Sequence, residues 1–216
     1  MKIVLLLMTS RSGSSMIAKM LADHGFYWTS DPTQNPAVGG KKVKYRTFEN
    51  QIVKKFNKIQ FGVPLGNPLT FDDVHANLFE EMVRNEYGHC DQQHPRFWKG
   101  AAEFFPIWYA ISQRESIEIQ PVVIWRPRDK VIESLIAKQA SRGLKVFLPD
   151  VEMITSLRYE FLSELAAEYA FPVIETEQVV RGDLSTLKAA MESYGYVLND
   201  ELCLKTIDIS KWETER

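Results

Sequence analysis

A chain of 216 residues suits one α/β domain better than two, and at that length folding buries roughly 70% of the exposed surface without any cross-link. Apolar residues make up 45% and charged residues 25%, ordinary for a globular protein, and the formal net charge of -2 excludes a broad nucleic-acid footprint, so any anion must be held by a local site. Cys90 and Cys203 form no close-spaced pair, which argues against a disulfide framework or a cysteine zinc site and for reduced thiols in a cytoplasmic protein. The run Ile3 to Met8 is too short for a signal segment, and no stretch approaches the ~20 apolar residues of a membrane span, so a soluble chain with no membrane partner is expected.

Ile3 to Met8 is aliphatic on both faces, the pattern of a central parallel strand covered by helices. Met16, Ile17, Met20 and Leu21 then mark a helix over 14–24, stopped at Gly25. The stretch 29–44 is rich in proline, glycine and lysine and predicts a loop. Residues 48–56 predict a helix, 62–68 an irregular segment, and 72–87 a further helix with Asp72 and Asp73 in its first turn. From there the expected order is a short strand at 96–99, a helix at 104–114, a buried strand at 120–125, helices at 129–142 and 151–169, a strand at 171–175 and a helix at 184–194 ending at Gly195. This alternation implies an α/β fold with a mainly parallel sheet, and no repeat or linker divides the chain.

The most informative segment is Arg11-Ser12-Gly13-Ser14-Ser15, between the first strand and the first helix. A helix start leaves backbone N–H groups unpaired and carries partial positive charge, so it attracts anions. Gly13 allows close backbone approach, the serines add hydroxyl donors, and Arg11 offers a planar charged fork to a phosphate or sulfuryl oxygen. The plainer reading is that the serines cap the helix and Arg11 is solvated. No Gly-Lys-Ser/Thr is present, so the loop is not of the Walker type. A second segment, Val122-Val123-Ile124-Trp125-Arg126, ends a strand, and Ser134 follows eight residues later on the next helix. An arginine and a serine so spaced can meet one anion at the sheet's C-terminal edge.

Both segments resemble the sulfotransferase superfamily. Its members carry a Lys/Arg-Ser-Gly-Ser/Thr-Ser/Thr loop for the 5′-phosphosulfate of 3′-phosphoadenosine 5′-phosphosulfate (PAPS), and an Arg…Ser pair for its 3′-phosphate. The resemblance implies a three-layer α/β/α, P-loop NTPase-like domain over 1–216. It implies cofactor contacts from Arg11, Ser12, Gly13, Ser14, Ser15, Arg126 and Ser134, with no metal and with 3′-phosphoadenosine 5′-phosphate (PAP) as the product. Pro127 departs from the family's Arg-Asp/Asn-Pro. Residues 44–50 resemble the bacterial and phage-like Gly-Tyr-Phe-Glu segment. Phe97-Trp98-Lys99 resembles the start of Trp-Lys-Asp-Pro-Arg, with Gly100-Ala101-Ala102 in place of the rest, and residues 173–177 sit where the family has a strand ending in Tyr-Glu-Asp-Leu.

Sulfuryl transfer to a hydroxyl or amine of a small molecule or saccharide needs a base and cationic stabilisation of developing charge. Arg11 and Lys99 are the candidate cations. Glu49 is the candidate base, with Glu103 as an alternative that could equally pair with a nearby cation. His24 reads as a cation at a helix C-terminus, and His75, His89 and His94 fall in weakly patterned regions. Tyr27, Trp28, Phe61, Phe71 and Trp108 could wall an acceptor pocket or belong to the core. Two other functions stay open: a nucleotide-dependent kinase of P-loop type using ATP and magnesium, and a non-catalytic nucleotide-binding protein.

Overall fold

The computed structural model describes residues 1–9, 11–28, 77, 80, 81, 83–85, 87, 94–141, 143 and 147–207. Its order is β1 (Lys2–Met8), α1 (Ser14–Asp23), β2 (Arg96–Ala101), a 3-10 turn (Ala102–Phe104), α2 (Phe105–Arg114), β3 (Glu118–Trp125), α3 (Arg128–Ala140), α4 (Leu148–Tyr169), β4 (Val173–Glu175), α5 (Thr176–Val180), α6 (Ser185–Glu192) and α7 (Asp200–Thr206). Residues described between 77 and 87 are helical, where the sequence predicts a helix. The predicted elements at 48–56 and the loops at 29–44 and 62–68 lie outside the described residues.

Among the described residues the sheet has four strands, all parallel, in the order β2-β1-β3-β4. The aliphatic run of β1 explains its central place, because alternate side chains point to opposite faces and both faces are covered. Val4 and Leu6 join Ile17, Met20 and Leu21 of α1 and Leu187 and Met191 of α6 on one side. Ile3, Leu5 and Leu7 pack with Trp98, Trp108, Ile111 and Leu162 on the other. Helices therefore cover both faces of the sheet, as a three-layer α/β/α arrangement requires. None of the described helices is long and apolar enough to cross a membrane.

Strand order positions the site. The chain leaves β1 toward β2 on one side and leaves β3 toward β4 on the other, although β1 and β3 are neighbours. A sheet whose connections diverge between two adjacent strands opens a crevice beyond their C-terminal ends. The loops after Met8 and Trp125 flank that crevice.

Several boundaries differ from the sequence reading for local reasons. Helix α4 starts three residues early, because Pro149 fits the first helical turn and Asp150 adds an acid there. Helix α7 was not anticipated, although Asn199 caps it by accepting from the Leu202 N–H at 2.9 Å and acids fill its first turn. Cys203, on that helix, is fully buried, and burial pushes its thiol up to about 11, so it is a packing residue and not a reactive one.

Gly100 occupies a space in β2 that admits no side chain. A Cβ at this position would stand 2.0 Å from Cη2 and 2.2 Å from Cζ2 of Trp98. That indole is 1% exposed and wedged between Phe104 and Trp108, with ring centroids at 5.7 and 5.5 Å, so it has nowhere to retreat. An aspartate here would drive both a side chain and a charge into the ring. Gly100→Ala is expected to lower unfolding free energy by about 1–3 kcal/mol, the range for overpacking. Urea denaturation followed by tryptophan fluorescence measures it, and an unchanged midpoint would refute the clash.

Candidate functional site

Between β1 and α1 the backbone makes an unusual turn. Arg11 sits at φ 66° and Gly13 at φ 81°, both left-handed. Glycine adopts this conformation freely, but a non-glycine residue held there costs of order 1–3 kcal/mol and persists only when its surroundings impose it. Gly13 is the N-cap of α1, and among the described residues no side chain caps the helix. The serines are therefore not caps. Ser14 Oγ is directed to Met8 Sδ, and Ser15 Oγ accepts from Lys99 Nζ at 3.0 Å. Ser12 is fully buried, and its hydroxyl has no partner among the described residues.

The surroundings of Arg11 come from distant parts of the chain. Its Nε donates to Ser134 Oγ at 2.9 Å, joining the first motif to α3 across 123 positions of sequence. Its backbone carbonyl accepts from an Arg126 terminal nitrogen at 3.2 Å. Arg126 follows β3 directly and is buried, and Pro127 serves as the N-cap of α3, so the helix starts at once and carries Ser134 inward on its second turn. The Arg11, Arg126 and Ser134 side chains thus gather at the divergence between β1 and β3. Lys99, from β2, reaches the first turn of α1 and is only 4% exposed. In an acidic chain this is a local concentration of positive charge at a helix start, the arrangement that attracts a phosphate-like group.

Three further residues shape this site: Thr176 and Glu177 belong to the 173–177 segment, to which sequence reading assigned no role, and Tyr159 was not singled out. Thr176 Oγ1 donates to the Ser12 carbonyl at 2.7 Å, across 164 positions. Glu177 Oε1 accepts from Arg126 Nε at 2.8 Å. The Tyr159 hydroxyl donates to the Arg126 carbonyl and lies in hydrogen-bond contact with Thr9. Burial, outweighing the opposing influence of Thr9 and Arg126, pushes the Tyr159 phenol up to about 12, so it stays a donor throughout the neutral range. The readable signal was positional: Thr176 and Glu177 follow β4, whose C-terminal end lies on the same edge as the loop.

Other candidates are placed elsewhere. Glu49 lies outside the described residues, as do Phe61, Phe71, His75 and His89. Glu103 pairs with Arg158 at 3.0 Å, both largely buried. His24, at the far end of α1, accepts from the Asn199 N–H at Nε2 and faces the Met20 carbonyl with Nδ1. These contacts make His24 a bridge between the end of α1 and the start of α7. His94 stacks on Tyr27 at 4.5 Å beside the start of β2, on the edge opposite the loop. Trp28 and Trp108 are core residues.

Fold and site together define a parallel α/β protein with a cationic strand-to-helix loop at the point where its sheet connections diverge. No protein-family model matches the chain, and no curated protein matches it.

Proposed function

We propose that this chain is a PAPS-dependent sulfotransferase with a P-loop-like fold, acting in the cytoplasm on a hydroxyl or amine of a small molecule or saccharide. The observation that carries the reading is the convergence of the two resembling motifs: Arg11 meets Ser134 at 2.9 Å, and Arg126 holds the Arg11 carbonyl at 3.2 Å. Neither motif contacts the other by sequence proximity, and a ligand with two separate anionic groups accounts for both.

The donor set fits such a ligand. Arg11, Lys99 and the backbone N–H groups at Gly13, Ser14 and Ser15 would hold the 5′-phosphosulfate, and Arg126 with Ser134 the 3′-phosphate. A start of α1 without a side-chain cap, and a Ser12 hydroxyl without a hydrogen-bond partner, both among the described residues, are what an anion-binding loop carries. When bound, PAPS supplies a sulfuryl group on a phosphosulfate anhydride. The chain's own part is to orient that group, to neutralise charge developing on its oxygens through Arg11 and Lys99, and to accept the acceptor's proton at Glu49.

Purified protein titrated with PAP, AMP and ATP–magnesium, followed by heat or melting temperature, tests this. Stabilisation by PAP well beyond that by AMP is the expected result. Stabilisation by ATP–magnesium in preference to PAP would move the protein to the kinases. Binding of PAP without turnover of PAPS against an acceptor panel would make it a non-catalytic nucleotide binder.

A further inference from the structure

We infer that Glu177 is a built-in counter-anion that stabilises the ligand-free site and weakens its grip on anions, so that a bound phosphate must exchange with it on Arg126. The inference deepens the reading above and rests on Arg126 belonging to an anion clamp.

Arg126 has a side chain only 7% exposed, and a guanidinium that far from water needs a compensating charge. Glu177 supplies one at 2.8 Å from Nε, while a terminal nitrogen of the same fork holds the Arg11 carbonyl at 3.2 Å. Glu177 itself keeps 23% of its side chain exposed, so its carboxylate has water to turn into. It sits on α5, one residue after Thr176, which is fixed to the Ser12 carbonyl at 2.7 Å. The carboxylate is therefore tied to the same loop that would bind the ligand.

Two charges within a few ångströms of one guanidinium repel each other strongly in a partly buried site. A phosphate arriving beside Arg126 meets Glu177 as a like charge, and the carboxylate swings toward solvent as the phosphate takes its place. The site's affinity is then a difference between two ion pairs, which keeps a doubly phosphorylated product from binding so tightly that it cannot leave.

Glu177→Gln keeps an acceptor for Arg126 Nε and removes the charge. Isothermal titration with PAP, and separately with inorganic pyrophosphate, is compared with the wild type, alongside melting temperature with and without ligand. PAP affinity is expected to rise about tenfold, the ligand-free melting temperature to fall by about 2–6 °C, and saturating PAP to close most of that gap. Weaker or unchanged PAP binding by Glu177→Gln, with the wild type binding PAP, would overturn the counter-anion while leaving the proposed function standing. Tighter pyrophosphate binding by the variant, with no PAP binding by either protein, would support the counter-anion and overturn the PAPS reading. Failure of both proteins to bind either anion would overturn both. If Glu177→Gln does not fold, Glu177→Asp, which draws the charge back by one methylene, carries the same test with an expected rise of about two- to threefold.

Discussion

Arg126→Ala is expected to reduce affinity for PAP by about 10- to 100-fold and to erase the preference for PAP over AMP, since a hydrogen bond to a charged group contributes about 1.5–3 kcal/mol. AMP lacks the 3′-phosphate that Arg126 would hold, so a side chain acting only on that phosphate would leave AMP binding untouched. The structure adds a second consequence. Arg126 also holds the carbonyl of Arg11, a residue kept at φ 66°. Without that contact the left-handed turn loses one of its restraints, and AMP binding should weaken too, though by less than PAP binding. The diagnostic quantity is the ratio of the two affinities, measured by calorimetry on both ligands. A PAP:AMP ratio equal to the wild type's would remove Arg126 from the clamp, whatever happens to the absolute values.

The same residue shows what sequence reasoning could and could not reach. Arg126 and Ser134 were legible because both lie on local features, a strand end and the helix after it, and the strand itself is an unbroken apolar run. Arg11 was legible for the same reason. Their meeting was not, because it depends on strand order, and nothing local in Ile3 to Met8 or in Gln120 to Trp125 says that these two strands are neighbours. Thr176 and Glu177 were read only as part of the 173–177 segment, and their role at the site was missed for a related reason. They sit in a short helix after a three-residue strand, and their partners are 164 and 51 positions away. Long-range polar contacts of that kind leave no periodicity to read.

Aromatic residues were ambiguous for a different reason. Trp28 and Trp108 could have walled a pocket or filled the core, since an apolar ring suits either. Burial decides the matter, and burial follows from which face of which strand a residue meets. Trp108 lies against Trp98 because α2 packs on the face of the sheet that carries Ile3, Leu5 and Leu7. The capping signal at Asn199, by contrast, was written locally as an amide before two acids, and could have been read.

Lys99 carries the second large expectation, because stability and binding should move independently there. Its side chain is almost fully buried in β2, and its ammonium donates to the Ser15 hydroxyl at the first turn of α1. Burying a charge carries a desolvation cost even where it is partnered, and replacing buried charged groups by well-packed apolar side chains of similar volume is often neutral or stabilising. Lys99→Met keeps the length of the stem and removes the charge. The ligand-free melting temperature should therefore hold within about 2 °C of the wild type, or rise. PAP affinity should fall about 10- to 100-fold, the loss of one charge-assisted contact, and turnover of PAPS should fall further, because a cation beside a transferring group acts most strongly as charge develops on it. A lysine that served only the fold would give the opposite pattern, a lower melting temperature with PAP binding intact. Measured together, the melting curve and the PAP titration of this one variant separate a charge kept for a ligand from a charge kept for the strand.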